Sequence, residues 1–193
     1  MPLPRTVTDR TLLTIADAEI PVPDPDCLIH LQFRRFAGCP VCNLHLRSFA
    51  VRHAEILAAN IREVVVFHSS AAELRTYAGD LPFDLVADPE RNLYREFGIE
   101  SAPRALLDPR AWPTIVRAAT QATVAVLRKQ KPAPPGKPEG GRLGLPGDFL
   151  IASDGRILAS KLGKHADDQW SVDELLALVP ADASMNLPKE SQS

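Results

Sequence analysis

Two cysteines separated by two residues, Cys39 and Cys42, stand where a strand-like stretch gives way to a helical pattern. The apolar residues of 28–34 predict a strand, and apolar side chains recur at helical spacing after Cys42. The sulfur of Cys39 then lies at the N-terminus of a helix, where unpaired backbone N–H groups and the helix dipole stabilise an anion. The pKa of a thiol in that position is lowered, which makes Cys39 a candidate nucleophile.

The residues around the two sulfurs suit disulfide exchange. Gly38 lets the backbone of a substrate approach, and Pro40 fits the first helical position, where no backbone N–H is needed. Cys42 falls on the apolar stripe of the helix, so we expect Cys39 to be exposed and Cys42 to be shielded. An exposed attacking thiol with a shielded resolving thiol is the arrangement that exchange requires. Half of a zinc site and a pair of inert thiols remain the alternatives.

The composition is typical of a soluble globular domain, since 45% of the 193 residues are hydrophobic and 24% are charged. No apolar run is long enough for a membrane span and the first residues do not resemble a signal peptide, so we expect a cytoplasmic protein. Three cysteines fit a reducing compartment, with Cys27 as a buried structural residue. The segment 104–142 is basic but carries no nucleic-acid motif. We predict no metal, cofactor, nucleic-acid partner or membrane association.

Strands and helices alternate along the chain. The predicted strands are 11–15, 19–22, 28–34, 63–67, 83–87, 148–153 and 156–159. The predicted helices are 40–58, 70–78, 88–97, 111–130 and 171–179. Two of these helices open with a capping-box sequence, at Ser70 and at Ser171. The dipeptide Asp154–Gly155 predicts a hairpin turn between the last two strands.

This order of elements predicts an α/β protein with a central mixed sheet flanked by helices. We expect one domain over residues 1–180, with a helical and Pro/Gly-rich insert at about 104–147 before the last hairpin. The polar end, 181–193, is predicted to be disordered. A CxxC motif after an early strand of such a sheet matches the thioredoxin-like layout.

Four segments carry a resemblance to a known family, and they are Arg34–Cys42, Ala87–Arg91, Tyr94 with Gly98, and Gly144–Ile151. In these segments the chain resembles peroxiredoxin-like proteins of the thioredoxin-like superfamily, in the alkyl hydroperoxide reductase/thiol-specific antioxidant group. It looks most like the selenoprotein L type, which carries a redox pair spaced by two residues. The resemblance implies a thioredoxin-like fold and a dithiol-disulfide couple.

The resemblance also implies a substrate groove. Thioredoxin-like proteins place a cis-proline opposite the nucleophile, and Pro146 stands at the matching place, so we expect a cis Leu145–Pro146 bond that faces Cys39. The predicted groove residues are Gly38, Pro40, Leu145 and Pro146. The candidate modulators of the thiols are His45 and Arg35.

The chain departs from the family pattern where a peroxide would bind. Peroxiredoxins carry Thr or Ser three residues before the peroxidatic cysteine and Pro four residues earlier, and these positions hold Phe36 and Gln32 here. The buried carboxylate of thioredoxins, in the strand before the motif, is replaced by Phe33. Acid–base assistance must therefore come from other residues.

We predict a thiol-disulfide oxidoreductase of antioxidant or redox homeostasis, in which Cys39 attacks and Cys42 resolves. One open alternative is a thiol peroxidase that forms a sulfenic acid at Cys39. The other is a non-catalytic module that senses redox state or holds a metal. The implied partners are a disulfide or peroxide substrate and a thiol reductant of thioredoxin or glutathione type, and a homodimer is left open.

Overall fold

A five-stranded mixed sheet forms the centre of the molecule. The computed structural model describes residues 5–99, 108–129, 132–136, 141 and 143–180. The strands of the central sheet are β3 (Leu28–Arg34), β4 (Ile61–Phe67), β5 (Asp84–Ala87), β6 (Gly147–Ile151) and β7 (Ile157–Leu162). A separate antiparallel hairpin precedes them, formed by β1 (Arg10–Leu13) and β2 (Glu19–Val22).

β3 is the middle strand, because the order across the sheet is β5-β4-β3-β6-β7. β4 runs parallel to both β3 and β5, whereas β6 runs antiparallel to both β3 and β7. The parallel pairs need crossover connections, and helices supply them. The mixed sheet that the alternation of elements predicts is therefore confirmed.

Six α-helices are described, together with a 3₁₀ turn at Pro109–Ala111. They are α1 (Pro40–Val51), α2 (His53–Ala58), α3 (Ala71–Tyr77), α4 (Asn92–Glu96), α5 (Trp112–Leu127) and α6 (Val172–Ala177). The single helix predicted over 40–58 is divided at Arg52, whose φ of −105° and ψ of 19° are not helical. The guanidinium of Arg52 binds Glu55 and Asp173 at this break.

Side-chain hydrogen bonds fix the starts of several helices. The Ser70 hydroxyl accepts a hydrogen bond from the Glu73 N–H, and Ser171 and Glu174 form a complete capping box, as the sequence predicts. α4 begins at Asn92 and not, as predicted, at Asp88. The later start is due to the Asp88 carboxylate, which accepts hydrogen bonds from the N–H groups of Asn92 and Leu93 at 2.9 Å each.

Apolar clusters cover both faces of the sheet. On one face Phe33, Phe97 and Phe149 pack with the β1–β2 hairpin and α4. On the other face Phe49 of α1 and Leu175 of α6 belong to a second cluster. β3 is consequently buried along its whole length, and its C-terminal end leads into the loop before α1.

The structure describes only part of the predicted insert and none of the predicted disordered tail. The tail 181–193 lies outside the described residues, as do parts of the insert at about 104–147. Within the described part of the insert, α5 packs against α1. No helix of the described residues combines the length and hydrophobicity needed to cross a lipid bilayer.

Candidate active site

β3 and α1 bring the two cysteines to one end of the sheet. Cys39 is the N-cap of α1 with Pro40 at the first helical position, and its sulfur accepts a hydrogen bond from the Cys42 N–H at 3.4 Å. The chain reaches this cap through Gly38, whose φ of +76° lies in the left-handed region that favours glycine. The predicted strand–CxxC–helix junction is confirmed.

Both cysteines are free thiols, and both are buried. Cys39 is 1% exposed and Cys42 is 3% exposed, so the prediction of an exposed Cys39 is wrong. The cause is α5, which places Ala118 and Ile115 against the motif, while Phe36 packs beside the same sulfurs. The sequence predicts the apolar stripe of α5 as ordinary core packing and gives no sign that it packs on the CxxC.

Arg35 is the charged partner of the thiols. It is 3% exposed, and its Nη2 donates a hydrogen bond to the Cys39 sulfur at 2.9 Å. Burial lowers the pKa of a guanidinium, but the charges of Cys39 and Cys42 outweigh that effect and raise the pKa of Arg35. One buried cation therefore neutralises one negative charge on the sulfur pair.

The two sulfurs share a proton. The hydrogen bond from the Cys39 thiol lowers the pKa of Cys42 to about 5, with further help from the Arg35 charge. Burial and the hydrogen bond to Cys42 raise the pKa of Cys39 well above that of an ordinary thiol. The lowered pKa predicted for Cys39 at the helix terminus is therefore wrong, because the pair loses its first proton easily and its second with difficulty.

His45 faces away from the sulfurs and toward the sheet. Its Nε2 accepts a hydrogen bond from Arg34 Nη2 at 3.1 Å. Burial, followed by the Arg34 charge, lowers the pKa of His45 well below its usual value, so the ring is neutral. Its route to the CxxC is indirect, through Arg34, whose charge also lowers the pKa of Cys42.

A buried network of charges lies beneath α1, and it was not predicted from the sequence. His30 donates through Nδ1 to Glu63 at 2.9 Å and through Nε2 to Asp148 at 3.2 Å. Arg34 donates through Nη2 to the same Asp148 oxygen at 2.6 Å and to the Gln32 side chain at 2.5 Å. All five side chains are fully or almost fully buried.

The protonation of this network follows from its contacts. Burial lowers the pKa of His30, but the Glu63 charge and the hydrogen bonds to both carboxylates raise it to about 9, so the imidazole is charged at neutral pH. Burial raises the pKa of Asp148, but the Arg34 charge and the His30 hydrogen bond hold it well below its usual range. The available sequence signal was the polar series His30, Gln32 and Arg34 at every second position of a buried strand.

The segment before β6 touches the site through Gly144. A Cβ at this position would lie 2.8 Å from His68 Nε2 and 3.4 Å from Arg35 Cγ. Leu145 and Pro146 lie further along and line a separate cavity beside Gly163. The Leu145–Pro146 peptide bond is trans, so the predicted cis-proline is wrong. The cis bond in the described part of the chain is Val22–Pro23. Pro146 is tied to the end of β7 instead, where its carbonyl accepts from the Gly163 N–H at 2.9 Å.

A cavity of about 190 Å³ opens between α1 and α5, and we call it the α1–α5 slot. Gly38 and Pro40, on either side of Cys39, line it, together with Tyr77 and the α5 residues Ala118 and Ala122. Of the predicted groove residues, Gly38 and Pro40 thus meet at one cavity, while Leu145 and Pro146 meet at another.

Cys27 lies at the opposite end of β3 from the CxxC. It is half-buried rather than buried, and it precedes a strand whose seven residues span roughly 23 Å. Burial, followed by the charge of Asp24, raises the pKa of Cys27 to about 12. Cys27 is therefore separated from the thiol pair and has little thiolate character at neutral pH.

The five-stranded mixed sheet with its flanking helices is also found in solved structures of similar fold. The chain is similar to the peroxidoxin BcpB of Mycobacterium tuberculosis, with a TM-score of 0.63 and 17% identity over 93% of this chain and 96% of that one. It is similar to peroxiredoxin Q of Xanthomonas campestris, with a TM-score of 0.62 and 17% identity over 95% and 97%. A putative thiol:disulfide interchange protein DsbE of Chlorobium tepidum gives a TM-score of 0.58 and 15% identity over 93% and 99%. The fold is thioredoxin-like.

The family follows from the sequence itself. The model of the AhpC/TSA antioxidant enzyme family matches residues 48–165, which is more than half of the chain. The protein therefore belongs to the AhpC/TSA antioxidant enzyme family and is a peroxiredoxin-like protein with a thioredoxin fold. The matched segment begins after Cys42, so the CxxC lies outside it. No curated protein sequence matches this chain significantly.

Proposed function

We propose that the protein is a thiol-disulfide oxidoreductase that cycles Cys39 and Cys42 between a dithiol and a disulfide. The observation that supports this most strongly is the buried sulfur pair, which has a lowered first pKa and an arginine 2.9 Å from one sulfur. The thiolate is the reactive form in exchange, so a pair that is ionised at neutral pH is prepared to attack once a substrate sulfur reaches the buried Cys39.

The proposed reaction starts with a proton transfer within the pair. Cys39 passes its proton to Cys42 along their hydrogen bond, and the Arg35 guanidinium and the Cys42 N–H stabilise the new Cys39 thiolate. This thiolate attacks one sulfur of the substrate, and the other substrate sulfur leaves as a thiolate that takes the proton from Cys42. The Cys42 thiolate then attacks Cys39 and releases the second half of the substrate as a thiolate, which takes a proton from water, so two electrons have passed from the protein to the substrate.

A thiol reductant of thioredoxin or glutathione type would reverse these steps and restore the dithiol. The proposed setting is antioxidant defence or redox homeostasis in the cytoplasm, in accordance with the family. His45 and Arg34 would act on the pair from below α1, whereas Arg35 touches it directly.

A thiol peroxidase is the second candidate, and the family match favours it. In that reaction the Cys39 thiolate would attack the terminal oxygen of a hydroperoxide, break the O–O bond and release the alcohol, or water from hydrogen peroxide. Cys42 would then attack the resulting sulfenic acid and expel water to form the disulfide. The side chain beside Cys39 is Phe36, which is 5% exposed and has no hydroxyl to bind a peroxide oxygen. We therefore rank disulfide exchange first.

One experiment compares the two reactions. Reduced protein is mixed with hydrogen peroxide or with 2-hydroxyethyl disulfide, and formation of the Cys39–Cys42 disulfide is followed by intact mass and peptide mapping. We expect faster oxidation by the disulfide, loss of turnover in Cys39→Ser, and a trapped mixed disulfide in Cys42→Ser. A peroxide rate far above that of a free thiol would instead favour the peroxidase. Bound zinc, or no reaction with either oxidant, would favour the non-catalytic module.

The charge of Arg35 provides a sharper test. Arg35→Met removes the cation beside the sulfurs, so the first pKa of the pair should rise by about one to three units. Thiolate absorbance at 240 nm between pH 4 and 9 measures this pKa, and the rate of disulfide reduction at pH 7 should fall in parallel. Arg156→Met is the matched control, because Arg156 is exposed and pairs with Asp154 on the hairpin. An unchanged pKa in Arg35→Met would contradict the proposed stabilisation.

A further inference from the structure

The α1–α5 slot is lined mainly by apolar side chains, with Asn43 and Gln121 as neutral polar residues and no acidic side chain among the lining residues. Ala118, Ala122 and Ala125 of α5 form one wall, and Leu44 of α1 contributes to the other. A cation, Arg47, also lines the slot, and its guanidinium is paired with Asp80. The slot therefore offers its interior to an uncharged, apolar group.

The size of the slot limits that group. Its volume is about 190 Å³, slightly more than the roughly 150 Å³ of dry apolar cavities that bind benzene. The small side chains of α5 create this space, because larger residues at the same positions would fill it. One aromatic ring or a short branched alkyl group fits, and a folded polypeptide does not.

The slot adjoins the sulfurs. A second void of about 10 Å³ is lined by Cys39 and Cys42 and shares Gly38, Asn43 and Tyr77 with the slot. The neck between the two is tight, since a Cβ at Gly38 would lie 3.1 Å from the Tyr77 ring. A group bound in the slot would thus lie beside the residues that flank the two sulfurs, and opening of this neck would bring its own sulfur to Cys39.

We infer that the α1–α5 slot binds the apolar, benzene-sized substituent of a small disulfide substrate. This inference rests on the proposed disulfide exchange and names the substrate class. Cys39 attacks the sulfur that carries the bound substituent and expels the other half of the disulfide as a thiolate. The first leaving thiolate takes the proton of Cys42, and the Cys42 thiolate then attacks Cys39. The apolar half leaves as a thiolate that takes a proton from water, so the substrate gains the two electrons that the dithiol loses.

Two mixed disulfides with a common soluble half test this selectivity. One joins benzyl mercaptan to 2-mercaptoethanol, and the other joins methanethiol to 2-mercaptoethanol. We expect the reduced protein to react with the benzyl compound about ten- to a hundredfold faster, because burial of the ring supplies transition-state binding that a methyl group lacks.

Variants of α5 separate binding from intrinsic reactivity. Ala122→Leu fills the slot and should reduce the rate ratio of the two probes to that of a free thiol. Ala119→Leu is the matched control, because Ala119 is exposed on the same helix and does not line the slot. A ratio that is equal in the two variants would overturn the inference.

A binding measurement without redox chemistry completes the test. Benzyl alcohol is titrated into the Cys39→Ser/Cys42→Ser protein, and saturable NMR shifts are expected in α1 and α5 but not after Ala122→Leu. No saturable binding, together with equal oxidation by both probes, would refute the slot and leave disulfide exchange intact. Saturable binding in a protein whose dithiol reduces neither probe would support the slot and refute the proposed reaction.

Discussion

The two faces of β3 are equally buried and chemically opposite. One face carries Ile29, Leu31 and Phe33, and the Phe33 ring packs against Tyr94 and Phe149 with centroids 5.0 and 5.8 Å away. The other face carries His30, Gln32 and Arg34, which bind carboxylates from β4 and β6. Burial alone therefore does not decide what a central strand contributes.

The two faces of β3 differ in how they respond to substitution of their side chains. Apolar packing is non-directional, and a core tolerates similar side chains at modest cost. A buried ion network is directional, and removal of one partner leaves an unpaired charge in a medium of low dielectric constant. The charged face acts on the thiols, because Arg34 reaches α1 through His45 and lowers the pKa of Cys42.

The largest expected effect comes from breaking the charged face. Asp148→Asn keeps the shape of the side chain but leaves Arg34 and His30 without their shared carboxylate. We expect a loss of about 3–5 kcal/mol in the free energy of unfolding. Urea denaturation followed by circular dichroism measures it, and a loss below about 1 kcal/mol would remove the distinction between the two faces.

A pH titration of stability sharpens the comparison. The pKa of His30 is about 9 in the folded protein against 6.5 for the free side chain, so charged His30 stabilises the fold. That contribution is complete below pH 6.5 and disappears as the pH rises through 9, with a total of about 3 kcal/mol. The groups that face this ring are Glu63, Asp148, Phe49 and Trp170.

The measurement compares unfolding free energies of the wild type and His30→Gln between pH 6 and 10. We expect the wild type to lose stability across this range and the variant to lose much less. Equal slopes for the two proteins would show that His30 is neutral in the fold, which would contradict its assignment as an imidazolium.

The smallest expected effect belongs to the apolar face. Ile29→Val removes one methylene from a fully buried side chain and should cost about 0.5–1.5 kcal/mol. Because no charge is involved, the loss should be the same at pH 6 and pH 9. A pH-dependent loss would mean that the two faces are coupled through the strand.

Local sequence signals predicted much of the fold. The strand over 28–34, the turn at Asp154–Gly155 and the capping box at Ser171 all appear as expected, because neighbouring residues determine them. Gly155 adopts a φ of +82°, as an Asp-Gly turn requires.

The errors concern contacts between distant segments. The covering of Cys39 by Ala118 and the meeting of His30 with Glu63 and Asp148 depend on packing and strand register, which no local pattern encodes. The trans Leu145–Pro146 bond is a similar case, because β7 determines the position of Pro146. The sequence thus predicted which residues form the CxxC junction, but not what surrounds it.

The position of α5 has a consequence for how selectivity could change in such a protein. The helix lies against α1 and over the CxxC, whereas the sulfurs, Arg35 and the buried ion network belong to the sheet, its loops and α1. Replacing the slot-lining residues of α5 would reshape one wall of the cavity and leave Arg35 and the buried ion network in place. Under the proposed function, substrate choice could then diverge through α5 while these charged partners of the thiols are preserved.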